Sequence, residues 1–154
     1  MAELRNVIIF AVGGARYALE LRWVREVVSL GFVTGVPTAP AALGGVCNLH
    51  GAILPVLDVG ALLDLPAGPA ARQGDGALVI ETDGVVCALR VDQVDHVASL
   101  HETDDGAPEA GTDDTSSRPP SRVLVDAGGR PLMLLDPAAL VRRAQELITT
   151  AAGT

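Results

Sequence analysis

The sequence predicts a mainly β fold built from a duplicated unit, with short helical turns and one helix at the C-terminus. Apolar runs repeatedly meet across glycine-containing pairs typical of tight hairpins, and a 14-residue segment recurs later in the chain. Only one segment combines a start signal with a long apolar stripe at helical spacing. With 154 residues, of which 49% are hydrophobic, the chain can form one domain with a packed core.

Three hairpins are predicted from strand-like runs separated by Gly-Gly or Asp-Gly, which accept the positive φ of tight turns. These runs are rich in Val, Ile and Leu, as strands are. The paired runs are VIIFAV with RYALEL around Gly13-Gly14, ALVIET with VVCALRV around Asp83-Gly84, and RVLVDA with PLMLL around Gly128-Gly129. A further stretch, GGVCNLHGAILPVLDV, predicts a turn at His50-Gly51, and Pro55 within it indicates an edge strand or a bulge.

Two segments begin with helix start signals. Asp58 precedes VGALLDL, which Pro66 ends, and Asp136 precedes PAALVRRAQELITT, with proline at the first helical position. The second segment also carries an apolar stripe, so we expect a C-terminal helix over 137–150 that packs one face on the core. Capping of the backbone explains both aspartates without assigning them to catalysis.

An internal duplication is predicted from two alignments that occur in the same order. Tyr17–Leu30 matches Cys87–Leu100 at an offset of 70, with six identical residues in 14, and GAILPVLDVGALL matches GRPLMLLDPAALV at an offset of 78. Each copy alone is near the lower size limit for a stable core, so we expect two β-barrels packed together in one domain, 5–148. We expect the first barrel mostly in 5–75 and the second mostly in 76–136.

The composition argues against several classes of partner. The net charge is −8, which disfavours binding to nucleic acid or to anionic lipid. No apolar run approaches the roughly 20 residues that span a bilayer, and the first residues lack the pattern of a secretory signal. We therefore expect a cytoplasmic protein without direct membrane insertion, in which Cys47 and Cys87 are reduced and buried.

The connection from Thr103 to Pro120 is polar and contains glycine and proline without an apolar stripe. Six acidic residues and no basic one lie between His101 and Thr115. Such a segment cannot bury enough surface to offset the entropy of ordering it, so we expect a mobile acidic loop that is dispensable for folding. An acidic recognition tail is the alternative.

Candidate reactive residues do not combine into a site. Cys47 and His50 have a C-x-x-H spacing, but a zinc site needs three or four ligands, and the remaining candidates are Cys87, His96 and His101 in the other copy. Cysteine catalysis lacks a supporting local pattern, and no glycine pair leads into a phosphate-binding loop. We predict no catalytic residue, no metal and no cofactor, and a binding module in preference to an enzyme.

The chain resembles the CheW-like domain of bacterial chemosensory systems from about Val7 to Val141. The resemblance is carried by VREVV, VPTAPAALGGVCNLHGAILPVLDV, LRVDQVDHV and GRPLMLLDPAALV, in that order. It implies two SH3-like five-stranded β-barrels and a non-catalytic adaptor. The implied partners are the cytoplasmic tip of a methyl-accepting chemoreceptor and the regulatory domain of a CheA-type histidine kinase. A divergent sensing or regulatory module that has lost the receptor–kinase array role is the alternative.

The resemblance also predicts a partner-binding surface on the first copy and its junction with the second. The predicted residues are Val24, Glu26, Val27, Gly45, Asn48, His50 and Gly51. Two positions depart from the family pattern: His50 and Gly60 stand where members often carry arginine. Core packing is the alternative role for Val24 and Val27, and a solvated turn is the alternative for His50.

Overall fold

The computed structural model describes residues 4–66, 68, 71–102, 121–126 and 128–152. These residues form eleven strands, a 3-10 turn at Leu21–Trp23 and two α-helices. The strands are β1 Leu4–Val12, β2 Ala15–Glu20, β3 Val24–Ser29, β4 Val33–Thr34, β5 Leu43–Leu49, β6 Ala52–Asp58, β7 Gly76–Thr82, β8 Val85–Arg90, β9 Gln93–Glu102, β10 Ser121–Val125 and β11 Pro131–Leu135. The helices are α1 Val59–Leu62 and α2 Pro137–Ala152. The predicted acidic loop, 103–120, lies outside the described residues.

The strands form two units. Five of them close into a barrel in the order β1-β2-β11-β10-β9, and the other six form a sheet in the order β3-β7-β8-β6-β5-β4. The prediction of a mainly β fold with a five-stranded barrel and a C-terminal helix is therefore confirmed. The predicted hairpin turns also form, with positive φ at both Gly13 and Gly14 and at both Asp83 and Gly84.

The predicted division of the chain between the barrels, 5–75 and 76–136, is wrong. Each copy contributes its first hairpin to one unit and its later strands to the other, because β3 leaves the closed barrel after β2 and β9 enters it after β8. The exchange is symmetric: β2 runs parallel to β11, and β8 runs parallel to β6. Backbone hydrogen bonds of a strand are the same for either partner, so the local sequence does not specify this exchange.

The second unit has six strands, whereas five were predicted. Its end strands β3 and β4 are separated by only three residues, Leu30 to Phe32. In the other copy the continuous strand β9 pairs with β1 along most of its length and with β10 at its end. In the first copy two strands divide these roles, since β3 pairs with β7 and β4 pairs with β5. The six-stranded sheet is therefore the five-stranded plan with one strand interrupted.

The two units share the largest apolar core. Phe10 and Leu19 of the closed barrel, Leu78 and Leu89 of the six-stranded sheet, and Leu140 of α2 are fully buried in one cluster. Each unit also has a smaller core of its own. Because side chains alternate between the faces of a strand, strands that pack on both cores are apolar at nearly every position. This arrangement explains the continuous apolar runs of the hairpins.

The two helices begin at the predicted caps. The Asp58 carboxylate accepts a hydrogen bond from the Gly60 N–H at 3.1 Å, and the Asp136 carboxylate accepts one from the Ala138 N–H at 3.0 Å. These bonds satisfy donors that helix starts leave without intrahelical partners. Within the described residues, neither helix is long and apolar enough to cross a membrane.

Candidate partner-binding surface

Two residues of the predicted surface contact each other. Glu26 lies on β3 and His50 lies at the turn between β5 and β6, and the His50 Nε2 is 3.0 Å from a Glu26 carboxylate oxygen. The His50 side chain is 73% exposed. Strand β3 stands at one end of the sheet order and β5 stands next to the other end, so this pair joins the two ends of the six-stranded sheet. An exposed ion pair stabilises a fold by only about 0.2–1 kcal/mol, so both side chains remain available to a partner.

The turn that presents His50 is held by its neighbours. His50 and Gly51 both have positive φ, at 52° and 87°, as a type I′ hairpin turn requires. The Asn48 side-chain oxygen accepts a hydrogen bond from the Gly51 N–H at 3.1 Å. Asn48 and Gly51 therefore shape the turn, and His50 is the residue that it presents.

Gly45 lies in the interior of the sheet, near the start of β5. It follows a bulge in β5, is buried, and has a φ of 140°. A Cβ there would lie 2.5 Å from the Thr34 carbonyl oxygen and 2.8 Å from Val33 Cγ1. Glycine is therefore needed for the close approach of β4 to β5, and Gly45 is not exposed to a partner.

The two predicted valines have different environments. Val24 is half-buried and packs against the core that the two units share. Val27 is 48% exposed. A bulge in β3 separates them, so that Val24 pairs with Ile80 while Glu26, two residues later, already pairs with Val79. Core packing is thus part of the role of Val24, whereas Val27 presents apolar area to solvent.

Sequence reasoning missed several further exposed apolar residues, among them Phe32, which is 76% exposed, and one on each of β6 and β9. Val97 on β9 is 54% exposed, and Ile53 on β6 is 65% exposed. Val97 occupies the position equivalent to Val27, 70 residues later, and both lie on the strands that cross between the units. The repeat alignment pairs these two valines, so an exposed Val27 predicts an exposed Val97. Ile53 carried no comparable signal, because its strand reads as apolar throughout.

Both cysteines are free, buried thiols. Burial raises the pKa of the Cys87 thiol to about 12 and also raises the pKa of Cys47, so neither is a thiolate at neutral pH. Among the described residues, no group of three or more His, Cys, Asp or Glu is placed to hold a metal ion. The surface combines exposed apolar side chains with one carboxylate and one imidazole, an arrangement suited to binding another protein.

Comparisons with known proteins agree with this geometry. A CheW-like domain family model matches residues 6–145. The chain is 34% identical over 97 residues to a probable chemotaxis protein CheW of Rhizobium etli, covering 62% of this chain and 61% of that protein. It is 34% identical over 101 residues to the chemotaxis protein CheW of Rhizobium meliloti, covering 65% and 64%. It is 30% identical over 125 residues to the chemotaxis protein CheW of Bacillus subtilis, covering 74% and 75%.

Among solved structures, the scaffolding protein TtCheW of Thermoanaerobacter tengcongensis has the same fold. The TM-score is 0.70 at 21% sequence identity, and the match covers 87% of this chain and 90% of that one. The chain spans less than two thirds of the length of the two rhizobial relatives. The family model, by contrast, covers nearly the whole chain. The chain therefore belongs to the CheW-like domain family.

Proposed function

We propose that this chain is a non-catalytic adaptor in bacterial chemosensory signalling. It couples the cytoplasmic tip of a methyl-accepting chemoreceptor to the regulatory domain of a CheA-type histidine kinase. Three relatives named as chemotaxis proteins CheW and a structural relative described as a scaffolding protein support this role. The proposal places the protein in the cytoplasm, recruited to membrane receptor arrays through its partners and not through a segment of its own.

The observation that carries the proposal is the exposed Glu26–His50 pair, together with exposed apolar side chains on neighbouring positions of the same sheet. Val27 follows Glu26 on β3, where successive side chains point to opposite faces, and Ile53 lies three residues beyond His50 on β6. Apolar side chains around a few charged groups resemble the core of a protein interface, where burial supplies affinity and charge supplies specificity. Glu26, Val27 and His50 make the proposed contacts, while Asn48 and Gly51 shape the turn and Gly45 and Val24 pack within the fold.

His50 stands where the family often carries arginine, and this changes how the Glu26 carboxylate is compensated. Arginine at this position would compensate the Glu26 carboxylate with a permanent charge, whereas the imidazole is charged only when it is protonated. Glu26 is therefore less fully compensated than it would be by arginine, and its negative charge is available to a cationic group on the partner.

The test is the affinity for a chemoreceptor tip fragment and for the kinase regulatory domain encoded in the same genome. Glu26→Arg should lower affinity for the receptor tip by about threefold or more, because it places a positive charge where the partner meets a carboxylate. Val27→Asp should lower it further by placing a charge in the apolar area. Glu146→Arg, the same change on an exposed position of α2, is the matched control and should leave affinity at the parent value.

Thermal unfolding and circular dichroism establish that each variant is folded. If Glu26→Arg and Val27→Asp bind the tip as tightly as the parent does, the proposed surface is wrong. If the parent binds neither the receptor tip nor the kinase domain, the adaptor role is wrong, and a divergent regulatory module remains.

A further inference from the structure

A cavity of about 640 Å³ lies away from the proposed partner surface. It forms where the turn between β1 and β2, the segment that leads into β5, and helix α1 come together, and none of the seven predicted surface residues lines it. One wall is apolar and includes Val12, Leu43 and Leu65. Its volume lies within the roughly 300–1,000 Å³ typical of small-molecule sites, which are mostly apolar with a few polar groups.

The polar wall of this cavity contains a buried arginine whose charge is already compensated. The Arg90 side chain is 8% exposed, and its Nε donates to an Asp75 carboxylate oxygen at 2.8 Å. Its Nη1 lies 3.5 Å from an Asp58 carboxylate oxygen. Because a carboxylate lies on each side of it, the Arg90 guanidinium is not available to bind an anion.

Asp92 contributes an exposed negative charge to the lining of this cavity. One of its carboxylate oxygens accepts a hydrogen bond from the Gly13 N–H at 2.8 Å, and no ion pair joins Asp92 to an arginine or histidine in the part of the chain that the structure describes. At the rim, the Asp64 carboxylate pairs with Arg143 Nη2 at 3.2 Å. Asp58, Asp64, Asp75 and Asp92 together with Arg90 and Arg143 leave a net charge of −2 at this site.

We propose that this cavity binds a small organic cation, a protonated primary amine attached to an apolar body. The ammonium group lies at Asp92, where it finds an exposed carboxylate, and the hydrocarbon part packs against Val12, Leu43 and Leu65. Because Asp92 is exposed, water screens this attraction, and most of the affinity comes from burying the hydrocarbon part. The net charge of −8 on the whole chain adds a long-range attraction for cations.

Gly60 provides a way to fill the cavity without disturbing the fold. It lines the cavity within α1, and a Cβ there would meet only Asp58 Oδ1 at 3.4 Å and Val12 Cγ1 at 3.5 Å, which are ordinary contact distances. Its φ is not in the left-handed region, and most side chains favour a helix more than glycine does. Gly60→Leu therefore places a side chain in the cavity, and Gly60→Ala is its small counterpart.

The experiment is a titration of the isotope-labelled full chain with phenethylamine, followed by amide chemical shifts. The neutral analogue 2-phenylethanol and the anion phenylacetate are titrated in parallel at constant ionic strength. Phenethylamine should give saturable shifts at Gly13, Ala41 and Ala61 with millimolar affinity, as expected for a ligand of this size. The alcohol should bind about threefold more weakly, because it lacks the charge that the exposed Asp92 attracts, and phenylacetate should bind more weakly still, because the carboxylates repel it.

Variants separate this site from general electrostatic attraction. Asp92→Asn keeps an acceptor for the Gly13 N–H and should weaken phenethylamine binding by about threefold. Asp83→Asn makes the same change of charge at an exposed turn and should leave the affinity unchanged. Gly60→Leu should abolish the shifts, while Gly60→Ala should keep them.

Three results would overturn the proposal. One is the absence of saturable shifts at the cavity amides of the folded parent. Another is equal affinity for phenethylamine and 2-phenylethanol. The third is an equal loss of affinity in Asp92→Asn and Asp83→Asn, which would show that the cation follows the overall charge of the chain. Affinity for the receptor tip is measured separately, so failure here leaves the adaptor proposal untouched.

Discussion

The ion pair between Asp75 and Arg90 should contribute strongly to stability, and Asp75→Asn tests it. Arg90 is buried at the end of β8, where its Nε lies 2.8 Å from the Asp75 carboxylate. The side chain of Asp75 is 20% exposed, and it also accepts a hydrogen bond from the Arg72 N–H at 3.1 Å. Removing the charge of Asp75 leaves the buried guanidinium with Asp58, at 3.5 Å, as its remaining carboxylate.

The expected loss at pH 7 is about 2–3 kcal/mol in the free energy of unfolding. Breaking a fully buried pair costs about 3–5 kcal/mol because one charge is left uncompensated in the interior. Here Asp58 retains part of the compensation, and the partial exposure of Asp75 lets water screen the rest. Both effects reduce the loss to the lower end of that range or slightly below it.

The pH dependence gives a second, independent readout. Burial alone would raise the pKa of Asp75, but the hydrogen bonds from Arg90 and from the Arg72 N–H, together with the two positive charges, hold this pKa below its usual value. A carboxyl whose folded pKa is lowered stabilises the fold fully above its unfolded pKa of about 3.9. This stabilisation is lost as the pH falls through the folded pKa. The parent should therefore lose stability below about pH 4 more steeply than Asp75→Asn does.

Urea unfolding between pH 3 and pH 7 measures both quantities. The pKa of Asp126 is also lowered, by hydrogen bonds from Arg16, the Arg130 N–H and the Gly128 N–H, and it titrates in both proteins. The difference between the two stability curves therefore isolates Asp75. Asp83→Asn, at an exposed turn where asparagine tolerates positive φ, is the matched control. A loss below about 0.5 kcal/mol at pH 7, or parallel curves at low pH, would refute the reasoning.

Three further outcomes are expected. Gly45→Ala should lower the free energy of unfolding in urea by about 1–3 kcal/mol or more, because Gly45 has a positive φ and an added Cβ would clash with Thr34. Gly35→Ala, where an added Cβ meets nothing, should change stability little, and equal effects of the two variants would contradict this reasoning. Cys87, with its pKa raised to about 12, should react with a thiol reagent at pH 8 only when urea unfolds the chain, and rapid reaction of the folded protein would contradict its burial. His50→Arg should lower affinity for the receptor tip by less than about tenfold, because a permanent positive charge beside Glu26 compensates its carboxylate more fully; an unchanged affinity would mean that His50 only forms the turn.

Local features of this protein follow from its sequence because they depend on residues close together in the chain. The hairpin turns at Gly13-Gly14 and Asp83-Gly84 need positive φ, and the dipeptides present tolerate it. The caps at Asp58 and Asp136 need only a short polar side chain before a helical segment. The duplication and the family are likewise readable from the order of residues alone.

Which strands pair across the molecule was decided only by the tertiary structure. The exchange of hairpins between the copies, with β2 beside β11 and β8 beside β6, depends on how two apolar faces are buried together. Every candidate partner strand offers the same backbone hydrogen bonds and a similar apolar pattern, so local sequence does not distinguish them.

The candidate sites depend on the same long-range pairing. Glu26 meets His50 because the ends of the six-stranded sheet approach each other, and the compensated burial of Arg90 requires Asp58 and Asp75 from two other segments. Sequence by itself determined the turns, the caps and the duplicated β plan. The tertiary structure alone decided that Glu26 and His50 contact each other, that β4 approaches β5 closely at Gly45, and that a cavity opens beside Asp92, because each depends on free energy gained between segments distant in the chain.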